Sequence, residues 1–423
     1  VGNDDFFYSL GFRYAAPVLF IYVWHILLDA RKRGARAVYF LARDGHILIK
    51  IADILMKKFS LDIELRYLYC SRKSLRIPTY NFIGDETFEY LFAYPVKASA
   101  KVLLDRIELN KNEREQVYKS ISFDIEREED ILDIKSFRSL CGELYKSDVY
   151  HNFINEKSSF AYGSAIKYLE QEGLLESDKI FIADSGWACS VQRSLRQLLK
   201  SRGATPNITG YYFGLVNEPK NELDGEYLAW YFDTKKGFSE RALFNINVYE
   251  SICAAPYGMT KGYIEKNGKI EPVFSDNEDK ERIEQINSQN KGIEDFSRKA
   301  AEVIDFHNFN EKYLRAVTKK ILTPVMAKPS RRFVLSLGQV SHCDDTADSY
   351  KIPLAVKEQR KYLKYYNILW RGFYKIFKRP FPKGFQEIYW PYGVSSFLPA
   401  IPRVYNRLNI YLFGLIKAYK KTA

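Results

Sequence analysis

The chain has little cysteine and lacks the best-known glycine-rich phosphate loops. Its five cysteines, among 423 residues, stand far apart at positions 70, 141, 189, 253 and 343. Because they are scattered and odd in number, they fit a reducing compartment and support neither a disulfide framework nor a zinc site. Neither a Gly-x-Gly-x-x-Gly motif nor a Walker-type loop occurs, so two common sequence signals of nucleotide binding are missing.

Long hydrophobic runs are also missing. The most apolar stretch, Tyr14–Leu28, is shorter than the roughly 20 residues that span a bilayer, and it contains His25. Charged residues follow it directly, and Gly34 is a typical end of a helix. We therefore predict a buried helix over residues 14–33, packed on a sheet. No signal peptide is evident, so we expect a cytoplasmic protein. The start at Val1 is consistent with a fragment of a longer protein.

Negatively charged residues are fewer than positively charged residues. The chain has 52 Asp and Glu against 64 Lys and Arg, which gives a net charge of +12 and a pI near 9.1. Such an excess favours anionic partners, including phosphorylated ligands and anionic membrane surfaces. The positive charge concentrates in the tail without a recognisable reader module, so no nucleic acid is expected as a partner.

The C-terminal tail interleaves aromatic with basic residues in two segments, 357–383 and 403–421. Basic helices with aromatic apolar faces often lie in a membrane interface. The alternative is a pair of helices that cover the core and expose a basic face to water. We predict that the tail binds an anionic membrane surface, and that the protein is a peripheral protein on the inner face of the cytoplasmic membrane.

Three strand-like runs each end at polar residues, and an amphipathic helix over residues 46–59 joins the first two. This is a βαβ unit and predicts a parallel sheet. Ligands bind at the carboxyl ends of the strands in such sheets, so the polar strand ends predict one shared site. The runs and their polar successors are Ala37–Ala42 before Arg43, Asp44 and Gly45; Leu65–Cys70 before Ser71; and Lys179–Ala183 before Asp184.

The fold class is therefore α/β, with a Rossmann-like parallel sheet flanked by helices. Residues 1–74 and 151–275 form the predicted core. Residues 75–150, in which short charged helices replace strand periodicity, form a helical cap insertion. A helical extension over 276–356, with a helix pair at most over 276–306, precedes the basic aromatic tail, 357–423.

Two further strands are predicted after the fourth strand of the sheet, which covers residues 208–216. They cover residues 227–232 and 262–274, and an antiparallel arrangement is open for both. The run Lys266-Asn-Gly-Lys269 is a strong signal for a hairpin turn.

The order of Asp44, Ser71, Lys157 and Asp184 resembles the haloacid dehalogenase-like superfamily of phosphotransferases. In that family a nucleophilic aspartate stands two residues before the second aspartate, and this chain has Ala42 there. The runs Phe40–Gly45, Tyr69–Arg72 and Asp184–Trp187 resemble a narrower group, from bacterial surface-polysaccharide clusters, that is often fused to glycosyltransferase domains.

The resemblance implies roles for several residues. Asp44 would be a general acid or base and, with Asp184, a ligand of Mg²⁺. A phosphorylated sugar or lipid-linked glycan would be the substrate. The implied substrate-binding residues are Arg43, Gly45, Ser71, Arg72, Lys157 and Trp187.

The residues themselves leave other interpretations open. Ser71 can cap the helix that follows it, Lys157 rests on spacing alone, and Trp187 is typical of a core. The run His342–Asp345 is predicted to be a polar loop rather than a metal site.

Three functions remain open from the sequence. The first is an enzyme of O-antigen or capsule assembly that acts on a phosphorylated sugar, a nucleotide-sugar or a lipid-linked intermediate. The second is a scaffold partnered with a glycosyltransferase, since Ala42 cannot form an aspartyl-phosphate. The third is a glycosyltransferase on a Rossmann-like sheet.

Overall fold

The protein is described here by a computed structural model. It describes residues 5–95, 97–125, 127–217, 225–275, 279–343, 345, 350–368 and 388–420. Residues 369–383 and residue 421 of the two predicted tail segments lie outside the described residues.

A parallel sheet forms the centre of the molecule. Its strands are β1 (Ala37–Leu41), β2 (Glu64–Leu68), β3 (Lys179–Trp187), β4 (Asn207–Leu215) and β5 (Glu226–Phe232). The spatial order is β2-β1-β3-β4-β5, and every neighbouring pair is parallel. The Rossmann-like sheet is therefore present, and β5 joins it in parallel rather than in the antiparallel direction that the sequence left open.

Helices cover both faces of this sheet. One core contains the inward sides of α2 and α3, and the other contains those of α9 and α10. Up to the last strand of the sheet, the helices are α1 (Phe6–Leu10), α2 (Ala16–Lys32), α3 (Gly45–Phe59), α4 (Arg72–Arg76), α5 (Glu86–Leu91), α6 (Ala100–Asp105), α7 (Lys111–Lys119), α8 (Ile134–Lys146), α9 (Asp148–Gln171) and α10 (Ser190–Ser201).

The predicted helix over 14–33 is α2, and a π turn, Gly11–Ala15, joins it to α1. Together, Phe6–Lys32 form one helix long and apolar enough to cross a bilayer by length and composition, and 72% of its most apolar window is buried inside the protein. The helix packs on the sheet core, as its apolar sequence predicts.

The insertion between β2 and β3 is helical, as predicted, and has a small core of its own. Leu103 of α6, Val117 of α7 and Leu140 of α8 lie in this core. Helix α9 then runs from the insertion onto the sheet: Ile154 lies in the insertion core, and Leu169 lies in the sheet core.

The chain after the sheet adds a hairpin and further helices. The hairpin, β6 (Thr260–Lys266) and β7 (Lys269–Phe274), turns where the sequence predicts it. The charged segment after it is one helix of 24 residues rather than a pair, because its apolar side packs on the N-terminal helices. The remaining elements are α11 (Phe238–Leu243), α12 (Ile246–Ile252), α13 (Lys280–Val303), α14 (Glu311–Met326), α15 (Arg331–Leu337), β8 (Ser341–His342), β9 (Ile352–Pro353), α16 (Pro391–Ser395) and α17 (Ala400–Lys420).

The first tail segment begins with a 3-10 helix, Lys357–Tyr366. Its Leu363, Tyr365 and Tyr366 are buried. Over these residues the tail covers the core, which is the alternative that the sequence left open, and its aromatic side chains are not available to a membrane.

Candidate functional site

A cavity of about 330 Å³ lies at the carboxyl edge of the sheet. It opens where β1 and β3 end. These neighbouring strands are where the chain changes direction across the sheet, and in open α/β sheets such switch points are the usual ligand sites. The strand ends that form its wall are Ala42–Asp44, Cys70–Arg72, Asp184 and Gly186–Val191.

The end of β1 brings Arg43 and Asp44 into the cavity, and helix α3 begins immediately afterwards. Gly45, predicted to touch substrate, is buried in the first turn of α3 and is not part of the cavity wall. A Cβ there would lie 2.7 Å from the backbone carbon of Phe40. Gly45 is therefore required for close packing of helix on strand, which in turn sets the position of Asp44.

The end of β3 has an unusual backbone. Gly186, Trp187 and Cys189 have φ angles of 109°, 79° and 54°, in the left-handed region that favours glycine. For Trp187 and Cys189 this conformation is strained, and such strain clusters at ligand sites. The strained turn follows Asp184 directly and forms part of the cavity wall.

Two carboxylates meet at this edge. Burial, and then the nearby charge of Glu250, raise the pKa of Asp44 from its ordinary value to about 7, although Arg43 and His342 oppose the rise. Burial also raises the pKa of Asp184 well above its ordinary value, and the charge on Asp44 adds to this. Like charges held together in this way favour a shared proton or a bound cation.

Glu250 and His342 form an ion pair in the same cavity, with 3.0 Å between Oε2 and Nε2. The indole Nε1 of Trp187 donates to Glu250 Oε1 at 2.9 Å. Burial alone would raise the pKa of Glu250, but the hydrogen bond from His342 and the charges of His342 and Arg72 bring it below its ordinary value. Glu250 is therefore an ionised carboxylate at neutral pH.

Sequence reasoning missed both partners of this pair. Glu250 lies on α12, where no motif marks it. His342 belongs to the run predicted to be a polar loop, yet it lies in β8, which pairs with β9. Asp345 of the same run makes a buried ion pair with Arg106 of the insertion, at 2.6 Å. The only local signal was the polar run itself.

Trp187 contacts the cavity, but its ring is held between aromatic neighbours. It stacks at 6.3 Å on Phe232 and packs edge-on against Tyr249. With the indole N–H bonded to Glu250, the ring positions that carboxylate and is not laid open as a platform for a sugar.

Positively charged side chains line the same cavity. Arg43, Arg72, Arg282 and Lys351 contribute to the wall. Arg72 begins α4, and Ser71 before it caps this helix by accepting from Ser74 N at 3.0 Å. Ser71 therefore acts as the predicted helix cap, while its position also places it in the cavity wall.

Lys157, predicted to clamp phosphate, is not part of this cavity wall. Its Nζ lies 2.7 Å from Oε1 of Glu113, on α7 of the insertion. Spacing along the chain had placed it at the site, but Lys157 lies in the N-terminal half of α9, which packs inside the insertion.

The donor set fits Mg²⁺ only in part. Asp44 and Asp184 offer two carboxylates, and Glu250 is engaged by His342 and Trp187. Within the described ranges, no group of three or more His, Cys, Asp or Glu side chains is arranged to hold a metal. Mg²⁺ often uses one or two carboxylates together with phosphates of the substrate, and the pair fits that pattern.

No protein-family model and no curated protein sequence matches the chain. The resemblance to haloacid dehalogenase-like proteins therefore stays a proposal, and the cavity itself is the basis for assigning a function.

Proposed function

We propose that the chain binds a phosphorylated sugar, free, nucleotide-linked or lipid-linked, in the cavity at the ends of β1 and β3. The observation that carries this proposal is that Asp44 and Asp184 line one cavity together with Arg43 and Arg72, at the switch point of the sheet. Carboxylates suit a divalent cation, and guanidinium groups suit phosphate oxygens.

The charge balance of the cavity favours an anion bound together with a cation. Three carboxylates, Asp44, Asp184 and Glu250, face three arginines, one lysine and one histidine. A phosphate would meet the guanidinium groups, and Mg²⁺ would be held by Asp44, Asp184 and the phosphate itself. When bound, the cation would offset negative charge on the phosphate.

Asp44 suits proton transfer as well as binding. A general acid or base works best when its pKa lies near the operating pH, and the pKa of Asp44 is about 7. In this role Asp44 would not be a ligand of the cation, which Asp184 and the phosphate would then hold, and it would give a proton to a leaving oxygen or take one from an attacking hydroxyl. Glu250 and His342 would form a further part of the cavity wall, and the hydrogen bond from Trp187 would keep the carboxylate of Glu250 in position.

The carbohydrate part of the proposal comes from the resemblance to proteins of surface-polysaccharide clusters, with a glycosyltransferase as partner. In this proposal the phosphate, rather than the sugar ring, is the part of the ligand that charged residues of the cavity bind. Without a nucleophile at Ala42, turnover through an aspartyl-phosphate is not part of the proposal.

Magnesium and phosphorylated ligand are expected to bind together. In titration calorimetry, Mg²⁺ should raise the affinity for UDP-glucose or a hexose phosphate by about tenfold or more, the range of typical coupling between sites. Asp184→Asn should remove this coupling because it takes away one carboxylate of the pair. Inorganic phosphate serves as a third ligand, to separate recognition of the sugar from recognition of phosphate alone.

Asp53→Asn is the matched control, because Asp53 lies on α3 with its side chain 49% exposed, away from the cavity. It should keep the coupling. The proposed function would be wrong if Mg²⁺ left the affinity for each of the three ligands unchanged. It would also be wrong if Asp184→Asn kept the coupling between Mg²⁺ and ligand.

Simple phosphoesters are expected to resist the wild-type protein. Hydrolysis of p-nitrophenyl phosphate should stay at background, since position 42 holds alanine. Ala42→Asp should create measurable turnover, because the remaining groups still line the cavity. Adding Asp44→Asn to that variant should then lower the new rate by about 10²-fold, the usual contribution of general acid-base catalysis. Robust wild-type turnover that survives Asp44→Asn would contradict this assignment.

A further inference from the structure

Helix α17 exposes an apolar stripe. Six of its side chains recur at helical spacing on one side and are 39% to 85% exposed. Surface helices of globular proteins usually turn their apolar side inward, so an outward stripe of this length marks a contact surface. The stripe consists of Ile401, Val404, Leu408, Leu412, Ile416 and Tyr419.

The opposite side of α17 is held to the protein by the buried Ile410 and by hydrogen bonds from two arginines. Arg403 donates to the carbonyl of Leu398 at 2.8 Å, and Arg407 donates to the carbonyl of Pro329 at 2.8 Å. Arg407 also donates to Ser396 Oγ at 2.9 Å. These bonds fix the rotation of the helix about its axis, and therefore keep the stripe outward.

The C-terminal part of the sequence, which contains α17, has a large excess of positive charge. Residues 357–423 hold 14 Lys and Arg but only two carboxylates, Glu358 and Glu387, so their net charge of +12 equals that of the whole chain. The first 356 residues are balanced, with 50 residues of each sign. From Ile388 to the C-terminus there is no carboxylate at all.

We infer that the outer side of α17 lies in the interface of an anionic lipid bilayer. Its aliphatic and tyrosine side chains would enter the boundary between headgroups and acyl chains, and basic residues of the tail other than the inward-bonded Arg403 and Arg407 would meet lipid phosphates. A second copy of the chain fits this surface less well, because it would bring the same positive charge to the contact.

The location of α17 suits a protein that works at a membrane. The helix packs against α11, which follows the carboxyl end of β5, and α12 with Glu250 comes next in the chain. The lipid-facing helix thus borders the edge of the sheet that holds the cavity. The inference stands on the stripe and the charge, and does not depend on the ligand of that cavity.

The test is flotation of the full chain with vesicles of phosphatidylcholine, alone or mixed with phosphatidylglycerol. The stripe variant is Ile401→Ser with Leu408→Ser, at side chains 85% and 54% exposed. Its apparent partition onto the mixed vesicles should fall by about tenfold or more, because two apolar side chains are removed from the interface. Binding of the wild type should also weaken with added salt.

The matched control is Val303→Ser with Leu335→Ser, which are 83% and 52% exposed on α13 and α15. It should bind as the wild type does, and light scattering without lipid should show the wild type as a monomer. The inference would be overturned if the stripe variant bound the mixed vesicles as well as the wild type does, or if the wild type did not bind them. It would also be overturned if the wild type self-associated and the stripe variant did not.

Discussion

Replacing Arg106 by methionine is expected to lower the free energy of unfolding by about 3–5 kcal/mol. The side chains of Arg106 and Asp345 are 4% and 3% exposed, and Nη2 lies 2.6 Å from Oδ2. The same guanidinium donates to the carbonyls of Leu91 and Ala93 at 2.6 and 2.7 Å. The substitution leaves the buried carboxylate of Asp345 and the carbonyls of Leu91 and Ala93 without these donors. Urea-induced unfolding, followed by circular dichroism, measures the loss.

The double variant Arg106→Met, Asp345→Leu distinguishes the loss of the ion pair from the cost of leaving one unpaired charge buried. Since no charge is then left buried at this contact, it should recover most of the stability lost in the single variant. The exposed pair Lys57 and Asp53 gives the control: Lys57→Met, at a side chain 76% exposed, should cost less than about 0.5 kcal/mol. A double variant as unstable as Arg106→Met would contradict this account.

Replacing Asp44 by asparagine is expected to stabilise the protein near pH 8 and to leave it unchanged near pH 4. The pKa of Asp44 is about 7 when folded, against an ordinary 3.8. The folded chain thus holds this proton more tightly than the unfolded chain, so stability falls as the pH rises from about 4 to 7. A pKa unit is worth about 1.4 kcal/mol, and because Asp44 retains contact with water we expect a gain of about 2 kcal/mol at pH 8.

Urea unfolding at both pH values, in buffer without divalent cations, measures this gain. Asp53→Asn is again the control, since its carboxylate is exposed and pairs with Lys57 one turn further along α3. It should change stability by less than about 0.5 kcal/mol at either pH. An Asp44→Asn protein less stable than the wild type at pH 8 would show that this carboxylate is held by favourable contacts rather than by a costly burial.

The sheet was predictable because its signals are local. Each buried strand is a short apolar run with a polar end, and the helix between β1 and β2 fixes their parallel direction. Asp44 and Asp184 could be placed at one edge for the same reason. The direction of β5 was not predictable, because it depends on how the chain crosses the sheet and not on the residues of the strand.

The rest of the site was not predictable because it comes from distant elements. Glu250 and His342 meet only when α12 and β8 pack together over the strand ends, and neither element has a motif. Lys157 does not line the cavity, and the reason is related. Spacing along the chain predicted that Lys157 lies on the helix before β3. The packing of the two halves of α9 decides which core each half contacts.

The length of α9 limits how the protein can change shape. Its 24 residues extend about 36 Å, with one half set in the insertion and the other against the sheet. A rotation of the insertion as a separate body would have to bend this helix, and Gly163 and Ser164, which lie between its two halves, form the kind of pair at which helices kink. Insertion and sheet are therefore joined by one continuous helix, and a change of shape between them would centre on this pair. Such a bend would move the insertion core relative to the strand ends that line the cavity.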